Sequence, residues 1–296
     1  TTFEYYLGKH ESTILKRRAV GRDYNPKQYT VDIIKAKAND GTLIPISMVY
    51  RSDLKQANPQ AFLLNGYGAY GYSNDAYFSV PRLSLLDRGL IYGTAHIRGG
   101  GEFGKKWHEQ GSLLKKKNSF TDFIACADAL FAAGITEPNK LVIEGGSAGG
   151  LLIGAVINIR PDLCRAAILQ VPFVDMMNTM LDPTLPLTIG EYEEWGNPNQ
   201  HKFFKKMLNY SPYDNLKEAS YPSMLIETSI NDSQVMFWEP AKYVAKLRTL
   251  KKDTDKPLLF RINMNAGHGG SSGRYDALKE IAFTASFILG ALGITQ

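Results

Sequence analysis

One serine in this chain stands in the surroundings that a nucleophile needs. Gly145, Ser147 and Gly149 fit the pattern G-x-S-x-G. The preceding residues 141–145, LVIEG, predict a buried strand, and the following residues 151–159, LLIGAVINI, predict a helix. A serine on such a tight strand-to-helix turn is presented for attack, and the first N–H groups of the helix can stabilise an oxyanion. This context favours a nucleophile over an incidental serine in a glycine-rich turn.

His268 is the best candidate for the general base that a serine nucleophile requires. It follows the predicted strand 257–264 and lies in the sequence NAGHGG, whose small residues leave the imidazole room to move. The remaining histidines lie in the N-terminal segment, at the end of a strand or in charged stretches: His10, His96, His108 and His201. We therefore predict that His268 takes the proton of the serine.

Asp232 can orient this histidine, because it closely follows the predicted strand 223–230. The chain order Ser147, Asp232, His268 is the serine, acid, histidine order of the α/β-hydrolases. All three lie just past the carboxyl ends of predicted parallel strands, where open α/β sheets place their sites. The sequence thus predicts a catalytic triad, and it implies no cofactor.

A second glycine-rich turn permits a different reading. Residues 66–71 spell G-x-G-x-x-G after the predicted strand 61–65, which is the pattern of a dinucleotide site. That site needs a helix to begin there and an acid at the end of the next strand. Here YSNDAYFSVP follows, and the next strand ends at Arg98. We favour a catalytic role, in which the Tyr67 hydroxyl and the Ala148 N–H face the oxyanion.

Other charged patterns are too weak to predict a metal or nucleic-acid site. His108 and Glu109 begin an H-E-x-x-H pattern, but Ser112 stands where the second histidine belongs. The net charge is only +5. The densest basic run, residues 115–117, has no interleaved aromatic rings to stack on bases, so we expect it to be a solvated surface.

Apolar runs of two lengths alternate along most of the chain. Strands are predicted at 61–65, 90–97, 141–145, 165–171, 223–230 and 257–264, and helices at 120–131, 151–159, 239–250 and 275–292. Such alternation predicts a mostly parallel sheet with helices on both faces. Before it, two β-rich runs around Asn39-Asp40-Gly41 predict an antiparallel hairpin. We expect an α/β-hydrolase domain over residues 29–296, preceded by a linker or hinge at 1–28.

The stretch 172–222 breaks this alternation and is rich in Pro, Asn, Tyr and acids. Loops and short helices over the sheet edge are expected there. It holds three acids beside aromatic residues, in the sequence TIGEYEEWGNP: Glu191, Glu193 and Glu194. Taken alone, the group is more typical of solvated charges, although acids with aromatic neighbours can also face a substrate cleft.

Composition predicts a cytoplasmic globular protein. The chain has 296 residues and contains no apolar run near the ~20 residues needed to cross a bilayer, so no membrane partner is expected. Cys126 and Cys164 lie in apolar contexts and are expected to be reduced core thiols. Asn231 begins a glycosylation sequon that contains Asp232, which disfavours a secretory route.

A series of short motifs occurs in a characteristic order from about Tyr29 to near the C-terminus. They include YGAYG, HIRGGGEFGKKWHEQG, GGSAGG, LTIGEYEEWGNP, NDSQV and AGHGG. This series resembles the catalytic domain of the prolyl oligopeptidase family, in particular its oligopeptidase B branch. The resemblance implies a serine peptidase that cuts short peptides after Arg or Lys. The family triad falls on Ser147, Asp232 and His268, and its oxyanion tyrosine falls on Tyr67.

The resemblance also implies substrate-binding residues. Two acids that hold the basic residue before the scissile bond match Glu191 and Glu193. An acid pair that contacts the next residue out matches Asp75 and Tyr77, so only one member is an acid here. Post-proline enzymes of the family carry an arginine two residues after the triad aspartate. Gln234 stands at that place, which argues against cleavage after proline.

The family has an N-terminal β-propeller that caps the active site and admits only short peptides. This chain has no room for one, so the resemblance implies a cleaved or separately encoded C-terminal half, or a natural truncation. A propeller domain or chain is therefore an expected partner, with short basic peptides as substrates and no nucleic acid. The alternatives left open are an esterase or a post-proline peptidase on the same fold, and a non-catalytic binding protein.

Overall fold

A central sheet organises the protein in the computed structural model, which describes residues 1–17, 19–21 and 24–294. The strands are β1 (Thr2–Tyr6), β2 (Glu11–Lys16), β3 (Tyr29–Lys37), β4 (Leu43–Arg51), β5 (Phe62–Asn65), β6 (Ile91–Ala95), β7 (Leu141–Gly146), β8 (Ala166–Gln170), β9 (Ser223–Ser229) and β10 (Leu258–Asn263). The last eight form one sheet in the order β10-β9-β8-β7-β5-β6-β4-β3. Strands β5 to β10 pair in parallel, whereas β4 is antiparallel to both β3 and β6.

Helices cover both faces of this sheet. They are α1 (Val80–Leu86), α2 (Lys105–Glu109), α3 (Lys117–Ala132), α4 (Ala148–Ile159), α5 (Met176–Leu181), α6 (Thr188–Trp195), α7 (His201–Leu208), α8 (Trp238–Leu250) and α9 (Arg274–Leu292). Helices α3, α4 and α8 pack on one face and α1 and α9 on the other. This arrangement is the predicted α/β-hydrolase fold, which is confirmed.

The parallel strands are apolar on both sides because helices bury both of their faces. Leu63, Val142, Ile168 and Leu225 point toward α1 and α9. The alternate residues Leu64, Ile143, Leu169 and Ile226 belong to the larger core under α3, α4 and α8. Burial on two faces therefore explains why the sequence shows short apolar runs instead of a strict alternation of polar and apolar residues.

The two N-terminal hairpins differ in how well the sequence reveals them. The predicted hairpin of β3 and β4 is confirmed, with Tyr29 opposite Arg51 and Lys37 opposite Leu43. Residues 1–28, expected as a linker or hinge, include a second antiparallel hairpin formed by β1 and β2. All residues of these two strands are exposed, so no buried face imposes an apolar pattern that sequence analysis could detect.

Two short helices were not predicted. In α1, Pro81 lies in the first turn, where a missing N–H breaks no helical hydrogen bond. No helix begins in residues 66–79, in agreement with the argument that the segment YSNDAYFSVP does not open a helix after the glycine-rich turn. The other, α2, has five residues, too few to show a clear periodicity.

Cys126 and Cys164 are buried free thiols, as predicted. Burial raises the pKa of both thiols, which keeps them protonated and unreactive. In the part of the chain that the structure describes, every helix is too short or too polar to cross a membrane. The cytoplasmic location stays a prediction.

Candidate active site

Ser147 occupies a strained turn between β7 and α4. Its backbone has φ 55° and ψ −118°, a conformation that L-residues rarely adopt. The turn closes tightly because a Cβ on Gly145 would lie 2.3 Å from the carbonyl oxygen of Gly149. The Ser147 N–H donates to the Gln170 carbonyl at 2.8 Å, which ties the turn to β8. The fold therefore holds this serine at the carboxyl edge of the sheet in the geometry expected of a nucleophile.

Asp232 and His268 form a hydrogen-bonded pair. Nδ1 of His268 lies 2.7 Å and 2.9 Å from the two carboxylate oxygens of Asp232. The backbone N–H groups of Gln234 and Val235 also donate to Asp232 at 2.9 Å and 3.0 Å. Burial alone would raise the pKa of Asp232, but these hydrogen bonds outweigh it and lower the pKa below its usual value. The carboxylate thus stays ionised at neutral pH and can orient the imidazole.

The loops that carry the two residues are joined by their backbones. The Asn231 N–H donates to the Ala266 carbonyl at 3.2 Å, and the Ile230 N–H donates to the Asn263 carbonyl at 2.9 Å. Ser147 and His268 line one cavity. The Ser147 hydroxyl forms no hydrogen bond with a described residue, a looseness common in sites without substrate. The structure thus brings the three predicted triad residues to one place.

A first cavity of about 280 Å³ opens beside Ser147 and contains the predicted oxyanion groups. Tyr67 and Ala148 both line it. Burial, together with nearby Glu191, raises the pKa of Tyr67 to about 12, so its hydroxyl remains a donor at neutral pH. Ala148 begins α4, and its N–H has no helical carbonyl to bond. Both donors are therefore available to a developing negative charge.

Glu191 lies in the same cavity and is held from one side. The Tyr70 hydroxyl and the Trp195 indole N–H donate to its Oε2 at 2.7 Å and 2.8 Å. Its Oε1 accepts no hydrogen bond from any residue that the structure describes. Tyr70 itself has a positive φ of 58°, so a strained residue positions the hydroxyl. One oxygen of this carboxylate is thus fixed while the other is free to accept a ligand.

Glu193 lies elsewhere. Residues two apart on a helix point roughly 200° apart, so Glu191 and Glu193 of α6 cannot face one cavity together. Glu193 is exposed and lines neither cavity beside Ser147. The structure therefore brings one member of the predicted acid pair to the site and not the other.

Lys116 is buried against the Tyr67–Gly68 turn, although the run 115–117 was expected to be solvated. Its side chain is only 2% exposed. The ammonium donates to the Gly68 carbonyl at 2.7 Å and lies 3.4 Å from the carboxylate of Glu194. It also sits 4.4 Å above the centre of the Trp195 ring. Burial lowers the pKa of Lys116 to about 8, and the Glu194 charge limits that fall.

Glu194 connects this lysine to a histidine. Nε2 of His108 lies 2.6 Å from its second carboxylate oxygen. The group of Lys116, Glu194 and His108 therefore joins the Tyr67–Gly68 turn to α6, the helix that bears Glu191. This group was not predicted, but a signal existed: Lys116, Phe120, Phe123 and Ala127 recur at the spacing of one helix face, and the last three are fully buried.

A second, larger cavity of about 760 Å³ opens on the other side of Ser147. His268, Asp75 and Tyr77 line it, the last two with exposed side chains. Glu144 lines it as well, on the strand that leads to Ser147. Burial raises the pKa of Glu144 to about 6. No role was predicted for this acid.

The alternative sites gain no further support. The helix that follows the glycine-rich turn at 66–71 begins only at Val80. Among residues 1–17, 19–21 and 24–294, no three His, Cys, Asp or Glu side chains are placed to hold a metal ion together. Gly68 instead lets two segments approach closely, since a Cβ there would lie 2.6 Å from the Ile97 side chain.

Comparison with known proteins gives a consistent result. The model of the prolyl oligopeptidase family matches residues 76–295. The dipeptidyl aminopeptidase BI of Pseudoxanthomonas mexicana is 47% identical over 298 residues, which cover 100% of this chain and 41% of that protein. Oligopeptidase B from Leishmania major has a similar structure, with a TM-score of 0.96 and 46% identity over 99% of this chain and 41% of that one.

Oligopeptidase B from Trypanosoma brucei, solved with covalently bound antipain, also has a TM-score of 0.96, with 45% identity over 99% of this chain and 41% of that one. The chain thus spans about two fifths of the length of these relatives. The family match covers most of the chain, and the similarity to the relatives extends over nearly all of it. We conclude that the chain belongs to the prolyl oligopeptidase family.

Proposed function

We propose that this chain carries the catalytic site of a serine peptidase that cuts short peptides after Arg or Lys. Ser147 attacks the carbonyl carbon of the scissile bond while His268 takes its proton. The tetrahedral intermediate then collapses to an acyl-enzyme as His268 gives that proton to the leaving amine. A water molecule, activated by the same histidine, releases the acyl group.

The surrounding groups act on this sequence of steps through charge and orientation. The Asp232 carboxylate fixes the tautomer of His268 and stabilises the imidazolium that forms. The Tyr67 hydroxyl and the Ala148 N–H donate to the oxyanion, where preorganised donors are worth several kcal/mol. The strained backbone of Ser147 supports this assignment, as does the covalent antipain complex of the Trypanosoma brucei relative.

The free oxygen of Glu191 is the observation that carries the basic preference. It belongs to a carboxylate that lines the cavity of Ser147 and is held by Tyr70 and Trp195. A guanidinium that enters this cavity loses water, and a facing carboxylate offsets that loss. The fit supports Glu191 as the residue that selects Arg or Lys. Asp75, at the second cavity, is proposed to contact the next residue of the substrate.

The alternatives on the same fold differ in what they need from this cavity. An esterase for apolar acyl groups has no use for Glu191. A post-proline peptidase would take a neutral ring there, and Gln234 rather than an arginine lines the cavity. A non-catalytic binding protein would not need the strain at Ser147.

The test is a comparison of substrates on the complete protein as it occurs naturally. Matched amides with Arg, Lys, Phe or Pro before the scissile bond, and the Phe ester, should rank with Arg first in kcat/KM. Labelling with a fluorophosphonate and peptide mapping should locate the modification on Ser147. Equal rates for Arg and Phe amides would refute the basic preference, and labelling of another residue would refute the nucleophile.

The family resemblance further implies an N-terminal β-propeller that limits access to short peptides. That partner, like the cytoplasmic location, stays a prediction.

A further inference from the structure

A row of polar side chains crosses the sheet on the face that packs against α1 and α9, with a step of one pleat between β7 and β8, where Glu144 lies opposite Ile168 and Gln170 opposite Gly146. Asn65 lies beside Thr94 in one direction and beside Glu144 in the other. Farther along, Gln170 lies beside Glu227, and Glu227 beside Arg261. All of these side chains line the second cavity: Thr94, Asn65, Glu144, Gln170, Glu227 and Arg261.

This row is unusual for the position that it occupies. One pleat earlier on the same strands and the same face stand Leu63, Val142, Ile168 and Leu225, all within the core. Buried positions of parallel strands are normally apolar, because an unpaired polar group there costs free energy. The change from apolar to polar coincides with the floor of a cavity that reaches Ser147 and His268. Such a floor is suited to a polar ligand.

Within this row, Glu144 has the least satisfied charge. Its carboxyl accepts a hydrogen bond from Nδ2 of Asn65 at 3.3 Å and forms no ion pair with a described residue. Two other carboxylates of the cavity are better satisfied. Glu227 pairs with Arg261 at 3.2 Å, and Glu280 accepts from the backbone N–H and hydroxyl of Ser271 at 3.1 Å and 2.9 Å. A negative charge on Glu144 therefore lacks a direct ion-pair partner among the residues that the structure describes.

The remaining charges of the cavity set the sign of that partner. The titratable groups facing it besides Glu144 are Asp75, Arg82, Glu227, Arg261, His268 and Glu280, with the phenols Tyr72, Tyr77 and Tyr92. Carboxyls outnumber the arginines. The charge of Arg82 partly offsets the effect of burial on the pKa of Glu144, but Arg82 forms no ion pair with it. Arg82 instead lies 3.8 Å over the Tyr92 ring and donates to the Tyr77 carbonyl. The cavity thus has an excess of negative charge for a cation from outside.

We propose that the second cavity binds a primary ammonium group of the peptide substrate, with the Glu144 carboxylate as its counter-charge and Asn65 and Gln170 as neutral acceptors. The amide of Asn65 donates to Glu144 through its nitrogen, so its oxygen is free to accept. A compact ammonium has three donors and suits acceptors converging from neighbouring strands, whereas a planar guanidinium suits a bidentate carboxylate.

The inference rests on the proposed peptidase function and extends it to a second recognition point. Two parts of a peptide carry such a group, the free amino terminus and a lysine side chain. The raised pKa of Glu144 agrees with a carboxyl that lacks its cation. Binding an ammonium would return that pKa toward its ordinary value.

The experiment uses matched peptide pairs with Arg before the scissile bond. In the first pair, a single residue precedes the Arg, and its amino group is free in one peptide and acetylated in the other. A second, acetylated pair has Lys or norleucine beside the Arg, and a third has Lys or norleucine just after the cleaved bond. The quantity compared is the ratio of kcat/KM within a pair, which cancels the steps common to both members. Wild type, Glu144→Gln and the exposed control Glu109→Gln are measured from pH 5 to 7.

We expect one pair to show a preference for the ammonium of about 10- to 100-fold, as for a hydrogen bond to a charged group. The pair that shows this preference identifies whether the bound ammonium is the amino terminus or a lysine side chain. In wild type this ratio should rise from pH 5 to 7 as Glu144 ionises. In Glu144→Gln it should be small and flat, while Glu109→Gln should behave as wild type. Ratios near one in every pair, or a preference that survives in Glu144→Gln, would overturn the proposal.

A binding measurement separates this proposal from the proposed function. Calorimetry with n-butylamine, and with n-butanol as the neutral control, needs no catalysis. We expect the amine to bind wild type and Ser147→Ala but not Glu144→Gln, with thermal unfolding confirming that each variant is folded. If the amine binds but no peptide is hydrolysed, the peptidase function is rejected and the ammonium site is retained. If acetylated Arg peptides are hydrolysed but the amine does not bind, the ammonium site is rejected and the peptidase function is retained.

Discussion

The two sides of Ser147 are built on opposite principles. On the side of Tyr67, the charged groups have partners: Glu191 is held by Tyr70 and Trp195, and Glu194 by Lys116 and His108. On the side of His268, a cavity more than twice as large holds Glu144, whose carboxyl has one long hydrogen bond. The first side is preorganised for the oxyanion, whereas the second combines the oriented His268 with a carboxylate that has no ion pair with a described residue.

The difference follows from which elements cover each side. The irregular stretch 172–222 brings Trp195 and Glu194 against Lys116 at the start of α3, and Trp195 also holds Glu191, which lines the first cavity. The second cavity lies between the sheet and α1 and α9, which contribute mostly apolar or already bonded side chains. Preorganisation is most valuable where charge develops in the transition state. A substrate-binding group farther from that charge does not need to be preorganised before the substrate binds.

Removing the nucleophile should have the largest effect, because Ser147 lines both cavities. Ser147→Ala should lower kcat on the order of 10⁴- to 10⁶-fold for every substrate, whichever cavity it uses. His268→Ala should cost a comparable factor, whereas His201→Ala should not. Steady-state kinetics on Arg amides checks this. Retention of most activity in Ser147→Ala would show that neither cavity is an active site.

Glu191→Gln should produce the next largest effect and should be specific to basic substrates. Loss of one partner from an enclosed charge pair costs ~2–5 kcal/mol, on the order of 30- to several-thousand-fold in kcat/KM. An Arg amide should suffer this loss, and a Phe amide should change little. Glu193→Gln is the matched control, since Glu193 is exposed and outside the cavity. If Glu191→Gln and Glu193→Gln lower kcat/KM for the Arg amide equally, both acids act on the substrate, contrary to their positions in the structure.

Lys116→Met should lower kcat/KM by about 10- to 100-fold, because small displacements of positioned groups have effects of that size. The loss should appear with Arg and Phe substrates alike, since the lysine holds the turn that bears Tyr67. Lys115→Met and Lys117→Met, at exposed neighbouring positions, should stay close to wild type.

Stability provides a second readout for Lys116. Lys116→Met should unfold more easily because Glu194 loses a partner, and the double variant with Glu194→Gln should recover part of that stability. Recovery of full activity in the double variant would mean that the pair serves stability only and does not position the turn.

The effect of Glu144→Gln on the free energy of unfolding should be small, and it should be stabilising. The folded pKa of Glu144, about 6, lies above its ordinary value of 4.5. A carboxyl with a raised folded pKa favours folding only while protonated, so wild type should lose about 1–2 kcal/mol as pH rises from 4.5 to 7. The variant should lack this loss and be more stable than wild type at pH 7. Denaturant unfolding at several pH values measures the free energy of unfolding of both proteins. If this free energy changed with pH in the same way in wild type and in Glu144→Gln, Glu144 would not carry an unpaired charge.

Local sequence patterns were enough for the frame of the active site. The strands that end before Ser147, Asp232 and His268 were predicted, and the structure has β7, β9 and β10 there. Each pattern spans only a few consecutive residues, and the carboxyl ends of parallel strands necessarily meet at one edge. The proline-containing helix α1 and the fully exposed hairpin of β1 and β2 were missed, because neither has a clear apolar period.

The sequence by itself determined the order of strands and helices, the strained serine turn and the acids and histidines available to it, since these depend on neighbours along the chain. Only the tertiary structure decided which charges are buried. It made Lys116 a core residue between two exposed lysines, turned Glu191 inward and left Glu193 outside. It also buried Glu144 without an ion pair to any residue that the structure describes. The physical reason is that burial and pairing depend on side chains from distant elements, such as Trp195 over Lys116, whose approach no local pattern records.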